Sequence, residues 1–318
     1  MSDSERMGYY LGTTGKRVGS WAQVPRSSHG KWAPMPCRSY PISLLQEHDK
    51  NGLKPILPIK YGRMLESPSA SMRGAAVLMA TDLVTTPVTG LHTQLCGDAH
   101  LLNFGIFATP EHKLVFDIND FDETYPGSWE WDLKCLVTSV VLTGREKGVG
   151  NEVNRELAMV VNRCYQKSIA NFALVPFLDV WYYDVEVDEI LEVFDRFSRK
   201  DRESVQKVVK KALYSTQEQT MEKLTEFVGR RWRIRNDSPF LVRLSETVPE
   251  EQEAWITEQH VEKLFKEYMH PLPEEKHQLV LHFRISIGAL RIGGIGSIGT
   301  RCLVCLLEGT TKDDALIL

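Results

Sequence analysis

Apolar residues recur every three to four positions along most of the middle of the chain. This spacing predicts helices that bury one face. The predicted helices cover residues 44–49, 72–84, 128–146, 151–173, 187–197, 202–228 and 250–269. Ser128 precedes two acidic residues, Glu130 and Asp132, and is therefore a candidate N-cap. The middle of the chain is accordingly expected to be mostly helical.

Shorter apolar runs between turn residues predict strands. The runs LHTQLC (91–96) and HKLVFDIND (112–120) are expected to form a hairpin or neighbouring strands, with the turn-like ATPEH leading into the second. Near the C-terminus, β-branched residues and glycines predict strand, glycine loop, strand, turn and strand. We therefore expect an α+β protein with an extended N-terminal arm (1–66), a helical catalytic lobe (67–275) and a small β portion (276–318).

Composition narrows the class of protein. With 318 residues, 42% of them hydrophobic and 25% charged, the chain can bury a sizeable core. Its net charge of −4 provides no general attraction for nucleic acid or an anionic membrane, so neither is expected as a partner. It has no apolar stretch near the roughly 20 residues that cross a bilayer, and it begins with a polar segment, MSDSERMGYY. These features predict a cytoplasmic protein.

Two polar motifs interrupt apolar runs and concentrate the candidate chemistry. GDAHLLNFG (97–105) and LVFDINDFDET (114–124) together contain Asp98, Asp117, Asp120 and Asp122, with His100 and Asn103. Burying a carboxylate without a partner costs several kcal/mol, so such a cluster indicates a metal site or a proton-transfer site.

The spacing of Asp98 and Asn103 is that of the catalytic loop of protein kinases, HRDxxxxN. In that loop the carboxylate accepts the proton of the acceptor hydroxyl and the asparagine holds magnesium. Gly97 and His100 match the looser form found in aminoglycoside and choline kinases. The second motif would then place Asp120 on magnesium, with Asp122 as a further ligand and Asp117 in an auxiliary role at most.

A glycine-rich segment, GGIGSIGTR (293–301), lies between two predicted strands. A dinucleotide-binding fingerprint would require a following helix, whereas strands on both sides are typical of the kinase loop that covers the nucleotide phosphates. The candidate nucleotide-binding residues are Gly294, Gly296, Ser297, Gly299 and Arg301. Kinases carry a phosphate-binding lysine on the third strand of this region. The expected third strand, ALIL, reaches Leu318 without a lysine, so nucleotide binding by this chain could require a longer form.

Several stretches together resemble an uncharacterised bacterial family catalogued as domain of unknown function twenty-two fifty-two. They are VPRSSHGKW, PIKYGRM, RGAAVLMATDL, LCGDAHLLNFG, FDINDFDETYPGSWEWDLK and GIGSIGTRCLVCLLEG. The resemblance covers about residues 8–318 and implies a distant, permuted relative of the protein-kinase and aminoglycoside-kinase superfamily. The chain departs from the family beside Arg73, where two expected aromatic residues are absent.

The sequence therefore predicts an ATP-dependent phosphotransferase that uses magnesium and acts on an unknown small-molecule or protein hydroxyl. Asp98 and His100 are the candidate catalytic residues, and Asn103, Asp120 and Asp122 the candidate metal ligands. One alternative is a catalytically inactive module that binds nucleotide or protein. Another is a phosphatase of the haloacid-dehalogenase type, because DFDET (120–124) fits its DxDxT motif, although the required downstream acidic cluster is absent from the sequence.

Overall fold

The computed structural model describes residues 26–30, 33, 38–109, 111, 113–194, 196–214, 217–229, 231–244, 258–311 and 314–318. The chain divides into two compact units. Unit 1 comprises Met1–His48 and Met64–Arg196, and unit 2 comprises Asp49–Arg63 and Phe197–Leu318. Residues 1–25 of the predicted N-terminal arm lie outside the described residues. The three-part division at residues 66 and 275 stays a prediction.

Helices and small antiparallel sheets form an α+β fold, which confirms the predicted class. The helices are α1 (Pro41–His48), α2 (Leu57–Met64), α3 (Pro68–Arg73), α4 (Ala76–Val84), α5 (Glu130–Glu146), α6 (Asn151–Phe172), α7 (Phe177–Trp181), α8 (Val187–Phe194), α9 (Arg199–Tyr214), α10 (Gln217–Leu224), α11 (Glu258–Met269) and α12 (Glu274–Val280). The strands are β1 (His92–Leu95), β2 (Phe104–Ala108), β3 (Leu114–Ile118), β4 (Tyr125–Ser128), β5 (Thr225–Val228), β6 (Arg231–Ile234), β7 (Leu241–Arg243), β8 (Arg284–Arg291), β9 (Leu303–Glu308) and β10 (Ala315–Ile317).

The strands of unit 1 pair in two short antiparallel ladders. β1 pairs with β4, which sets Leu95 opposite Tyr125, and β2 pairs with β3, which sets Gly105 opposite Asp117. Both segments contain the predicted strands, β1 and β3, but their expected pairing as a hairpin or as neighbouring strands is wrong. FGIFA (104–108), which the sequence analysis did not assign, is the strand that turns back into β3. The pairing of β1 with β4 brings Cys96 and Gly97 close to the start of α5.

Helix α5 packs against α6 through a close contact. A Cβ added to Gly144 of α5 would overlap the side-chain amide of Asn154 of α6, so only glycine fits at that position. The helix begins at Glu130, two residues later than predicted. Ser128 is not its N-cap, because this residue pairs with β1 as the end of β4.

The predicted helix at 72–84 is interrupted. Helix α3 ends at Arg73 and α4 begins at Ala76, and the backbone turns at Gly74 between them. Ser67 begins α3 as an N-cap, because its Oγ accepts a hydrogen bond of 3.1 Å from the backbone amide of Ala70. The break places Arg73 at the end of a helix.

In unit 2, the predicted succession of strand, glycine loop, strand, turn and strand is confirmed by β8, β9 and β10. These strands form an antiparallel sheet in the order β10, β9, β8, β7. Its core contains Met221, Ile234, Leu241, Ala289, Val304 and Leu306. Fully buried Leu306 and Ala289 lie on neighbouring strands of this sheet, and helix α10 contributes Met221 to the same core.

Other predictions for unit 2 need correction. The helix expected over 202–228 is divided into α9 and α10, and its last four residues form β5, which pairs with β6 in a hairpin. The pairing of Phe227 with Trp232 favours strand over helix there, because aromatic cross-strand pairs stabilise a hairpin. Of the helix expected over 250–269, residues 250–257 lie outside the described residues and α11 covers the rest. No helix within the described residues combines the length and the apolarity needed to span a bilayer.

Candidate active site

The first polar motif, GDAHLLNFG (97–105), is held in place by a carboxylate at the start of α5. Asp132 accepts hydrogen bonds from the backbone amides of Cys96, at 2.7 Å, and Gly97, at 3.1 Å. Burial raises the pKa of Asp132, while the two amide donors oppose that rise. The sequence analysis assigned Asp132 only to the helix dipole. Its structural role is to fix the loop that begins at Gly97.

The two motifs touch at a glycine. Gly97 has φ +96°, and a Cβ on it would overlap the backbone carbonyl of Glu123 in the second motif. Only glycine combines this backbone conformation with such a close approach. The thiol of Cys96 also donates to the carbonyl oxygen of Asp120 at 3.5 Å. The acidic loop from Asp120 to Glu123 therefore lies directly over the start of GDAHLLNFG.

Asp98 is the most perturbed carboxylate of this site. Its side chain is 12% exposed, and the thiol of Cys135 donates to Oδ1 at 3.8 Å. Burial, followed by repulsion from Glu123, Asp122 and Asp120, raises the pKa of Asp98 to about 7, and the Cys135 contact opposes the rise only in part. Asp98 can therefore gain or lose a proton near neutral pH, which is the property required of a general base.

Asn103 lies beside Asp98 and is buried. Its Nδ2 donates to the backbone carbonyl of Asp98 at 2.8 Å, across the turn Leu101–Asn103. The backbone carbonyl of Asn103 accepts a hydrogen bond from the backbone amide of Asn119 at 2.9 Å. This bond ties the first motif to the residue after β3. Because the nitrogen of the side chain is engaged, its remaining polar atom is an oxygen acceptor.

His100 is only 5% exposed, and its Nε2 lies 3.4 Å from Oδ2 of Asp98. Burial and then the charge of Arg73 lower the pKa of His100, against smaller opposing contributions from its own backbone carbonyl and from Asp120. The imidazole is therefore neutral at neutral pH. Within the described residues, His100 Nδ1 and Arg73 Nε are buried without a hydrogen-bond partner. The structure thus brings Arg73 to this site, although no local sequence signal indicated its position.

The remaining acidic residues differ in placement. Asp120, Asp122 and Glu123 are exposed on the loop above Asp98. Partial burial, the charge of Asp120 and a hydrogen bond with its side chain raise the pKa of Asp122. Asp117 is exposed on β3 and accepts from the amide of Ile118 at 2.7 Å. Asp117 makes no described contact with Asp98.

Magnesium requires oxygen ligands, and it usually combines one or two carboxylates with water and substrate phosphates. The amide oxygen of Asn103 and the exposed carboxylates of Asp120 and Asp122 are donors of this kind. Among the described residues, no three or more His, Cys, Asp or Glu side chains are grouped so as to hold a metal ion alone. These oxygens are of the chemical type that magnesium takes, and they form no preassembled cluster of carboxylates among the described residues.

The glycine-rich segment belongs to unit 2 and is held by packing. Ile292, Ile295 and Ile298 are buried, whereas Gly294 and Gly296 are exposed. Two of the isoleucines, Ile292 and Ile298, form an apolar cluster with Leu53, Ile56 and Leu290. The loop therefore exposes glycine backbone on one side and anchors isoleucine side chains on the other.

The other predicted nucleotide-binding residues of this loop are used differently. Gly299 is buried with φ +109°, and its carbonyl accepts from the amide of Leu53 at 3.0 Å. Ser297 Oγ donates to the carbonyl of Gly294 at 3.0 Å, and Arg301 is exposed. Gly299 thus serves the packing of the loop, while Gly294 and Gly296 present backbone to solvent.

A segment from the N-terminal part of unit 2 supports the same loop. Arg63 donates to the carbonyl of Gly293 at 3.2 Å and lies over the ring of Phe240, 5.3 Å from its centroid. Lys60 forms a buried ion pair of 2.7 Å with Asp49, which also accepts from the hydroxyl of Tyr61 at 2.8 Å. Sequence reasoning assigned no role to Lys60 or Arg63, although both lie in the PIKYGRM motif.

The fold and the acidic site define an α+β protein with a near-neutral, buried aspartate beside an asparagine. The family model described as "Uncharacterized protein conserved in bacteria (DUF2252)" matches residues 53–318, so the chain belongs to that family. This confirms the family predicted from the motifs. No curated protein and no solved structure resembles the chain at a significant level.

Proposed function

We propose that the chain is a kinase-like phosphotransferase that transfers the γ-phosphoryl group of ATP to a hydroxyl group of a small molecule or protein. One observation carries the proposal. Asp98 is buried beneath three carboxylates, has a pKa of about 7 and sits beside Asn103, five residues further along the chain. A carboxylate base with a pKa near neutrality and an adjacent amide oxygen are the protein groups that phosphoryl transfer requires.

In this proposal, Asp98 accepts the proton of the acceptor hydroxyl as its oxygen forms a bond to the γ-phosphorus, and the bond from that phosphorus to the bridging oxygen of ADP breaks. His100 Nε2, 3.4 Å from Asp98 Oδ2, orients the carboxylate. Asn103 and Asp120 would hold magnesium, with Asp122 in support. When bound, the ion would neutralise charge on the phosphates.

The glycine-rich loop of unit 2 is the proposed phosphate-binding element of the nucleotide, through the exposed backbone of Gly294 and Gly296. Successive glycines let backbone amides approach a phosphate without a side chain in between. Ser297 and Arg301 would assist. The packing role of Gly299 suggests that it shapes the loop and does not itself contact nucleotide.

Binding and turnover can be tested separately. Magnesium with ATP should raise the melting temperature, because a ligand that binds only the native state stabilises it. Phosphate transfer to a panel of alcohols and proteins, or release of phosphate to water, should then fall by about a hundredfold or more in Asp98→Asn. Asp117→Asn is the matched control, since this aspartate is exposed and makes no described contact with Asp98. Equal rates in wild type and Asp98→Asn would remove the assigned role.

A catalytically inactive nucleotide-binding or protein-binding module is the second candidate. Magnesium with ATP that stabilises the protein without turnover by the wild type would select this candidate. The phosphatase alternative is less well supported, because the strand before Asp120 belongs to a two-stranded antiparallel hairpin.

A further inference from the structure

The segment that follows α6 exposes large apolar side chains. Phe177 is 78%, Trp181 70% and Tyr182 74% exposed, and Leu174 and Leu178 are also exposed. We call these five residues the aromatic patch. The rings of Phe177 and Trp181 lie 6.0 Å apart, so they form one surface. Contiguous exposed apolar residues of this kind mark interaction surfaces, because leaving them in water is unfavourable.

The chain directly after the aromatic patch is acidic. Asp184 and Glu186 precede α8 and Asp188 lies in its first turn, while Asp179 lies within the patch itself; α8 borders a cavity of about 340 Å³. The cavity is lined by Val185, Glu189, Ile190, Glu192, Val193 and Arg196. Its lining thus combines apolar side chains with two carboxylates and one guanidinium, that of Arg196. An aromatic patch followed along the chain by an excess of acidic residues disfavours phosphate-rich partners such as nucleic acid and anionic membranes, and favours a basic amphipathic helix.

Such a helix occurs in the same sequence. Helix α9 contains Lys200, Lys207 and Lys210, all exposed, and its Val208 is 54% exposed. Among the described residues, Lys207 and Lys210 make no ion pair. Lys207 directly precedes Val208, and Lys210 follows it by two positions. The helix therefore carries an apolar side chain between two positively charged ones along its sequence. This pattern is complementary to the cavity, whose lining includes the carboxylates of Glu189 and Glu192 together with the apolar side chains of Ile190 and Val193.

We propose that the aromatic patch and the acidic cavity of α8 bind helix α9 of a second copy of this chain, so that the protein self-associates. Trp181 and Phe177 would be the anchors, since aromatic residues dominate the energetics of interfaces. Glu189 and Glu192 would select the partner helix by pairing with Lys207 and Lys210. This inference is independent of the proposed phosphotransfer.

Sedimentation velocity on the full chain, from about 1 to about 100 µM, tests self-association. We expect a concentration-dependent oligomer that weakens when NaCl rises from about 50 to about 500 mM, because the paired charges are screened. Trp181→Ser should weaken association by about tenfold or more. Leu65→Ser is the control. Leu65 is also a large, highly exposed apolar residue of unit 1, but it lies outside the patch, so this substitution should not change association.

Charge reversal identifies the interface. The double variants Glu189→Lys with Glu192→Lys and Lys207→Glu with Lys210→Glu should each be monomeric, whereas an equal mixture of the two should associate again. The affected side chains are exposed, so circular dichroism and melting should match the wild type. A fluorescent peptide with the sequence of Arg199–Tyr214 should bind the wild type and not Trp181→Ser, as measured by anisotropy.

Three results would overturn the proposal. The first is a wild type that stays monomeric over the whole concentration range. The second is association that survives both charge reversals, which would locate the interface elsewhere. The third is a mixture of the two reversed variants that fails to associate while each remains folded.

Discussion

The acidic site of unit 1 and the glycine loop of unit 2 are stabilised in opposite ways. Around Asp98, burial and three neighbouring carboxylates oppose ionisation, and the site is held by backbone contacts at Gly97 and Asp132. In the glycine loop, buried isoleucines and the hydrogen bond from Leu53 to Gly299 hold an exposed backbone. The comparison teaches that the first region holds a carboxylate whose ionisation is opposed by its surroundings, whereas the second is a well-packed support that exposes the backbone of Gly294 and Gly296.

The largest expected effect contrasts one glycine from each region. Gly97→Ala should lower the free energy of unfolding by about 4 kcal/mol, because the new methyl group would overlap the Glu123 carbonyl at a positive φ. Gly299→Ala should lower it by only about 1 to 2 kcal/mol, since its nearest contact is the flexible end of Leu57 at 3.2 Å. Denaturant unfolding measures both. Gly62→Ala, in open space within α2, is the control and should be neutral or slightly stabilising. Equal losses for Gly97→Ala and Gly299→Ala would contradict the contrast.

The second-largest expected effect concerns the buried ion pair of Lys60 and Asp49, in the segment that supports the glycine loop. Lys60→Met should lower the free energy of unfolding by about 3 kcal/mol, because the Asp49 carboxylate would stay buried without its ion-pair partner. Adding Asp49→Leu should recover much of the loss, since no unpaired buried charge then remains. Chemical denaturation of the single and double variants completes the cycle. A double variant less stable than Lys60→Met would show that Asp49 stabilises the fold through contacts other than Lys60, such as the hydrogen bond from Tyr61.

The third prediction measures the strain at Asp98. Because its pKa is higher in the folded than in the unfolded chain, the folded protein binds more protons between about pH 4 and pH 7, and stability falls as pH rises through that window. Asp98→Asn should therefore match the wild type near pH 4 and exceed it by roughly 2 to 4 kcal/mol at pH 8. Urea unfolding at several pH values checks this difference. A variant that is less stable at pH 8 would contradict the electrostatic account.

The smallest expected effect concerns an exposed ion pair, in contrast to the buried pair of Lys60 and Asp49. Lys113 pairs with Glu186 at 3.3 Å, and both side chains are at least half exposed. Lys113→Ala should change the free energy of unfolding by less than about 0.5 kcal/mol, because water and salt screen exposed ion pairs. Thermal unfolding at low and high salt provides the measurement. A loss similar to that of Lys60→Met would show that burial does not separate the two pairs.

Sequence patterns located some elements better than others. The strands around the glycine loop and the long helix α5 follow from local apolar periodicity and flanking glycines. The pairing of β1 with β4 and the strand β5 were missed, because strand pairing depends on residues distant in the chain. The prediction of one helix over 202–228 was wrong at its C-terminal end for the same reason, because the cross-strand contact of Phe227 with Trp232 outweighs the local preference for helix.

The residues of the candidate site also divide into those that the sequence identified and those that it did not. Asp98 and Asn103 could be identified from their spacing, because a short turn brings residues five apart into contact. Arg73, Asp132 and Glu123 could not, since each reaches the site through a fold contact with no fixed sequence separation. Gly299 matched the glycine pattern of a phosphate loop, yet its backbone conformation and burial give it a packing role.

By itself, the sequence determined the α+β class, the family and the presence of an acidic turn followed at a distance by a glycine loop between strands. These properties depend on local periodicity and on motifs of neighbouring residues. Only the tertiary structure decided that Asp98 has a pKa of about 7, that burial and then Arg73 lower the pKa of His100, and that Gly97 touches Glu123. The reason is physical: desolvation, charge repulsion and close packing are set by whatever the fold brings across from distant parts of the chain.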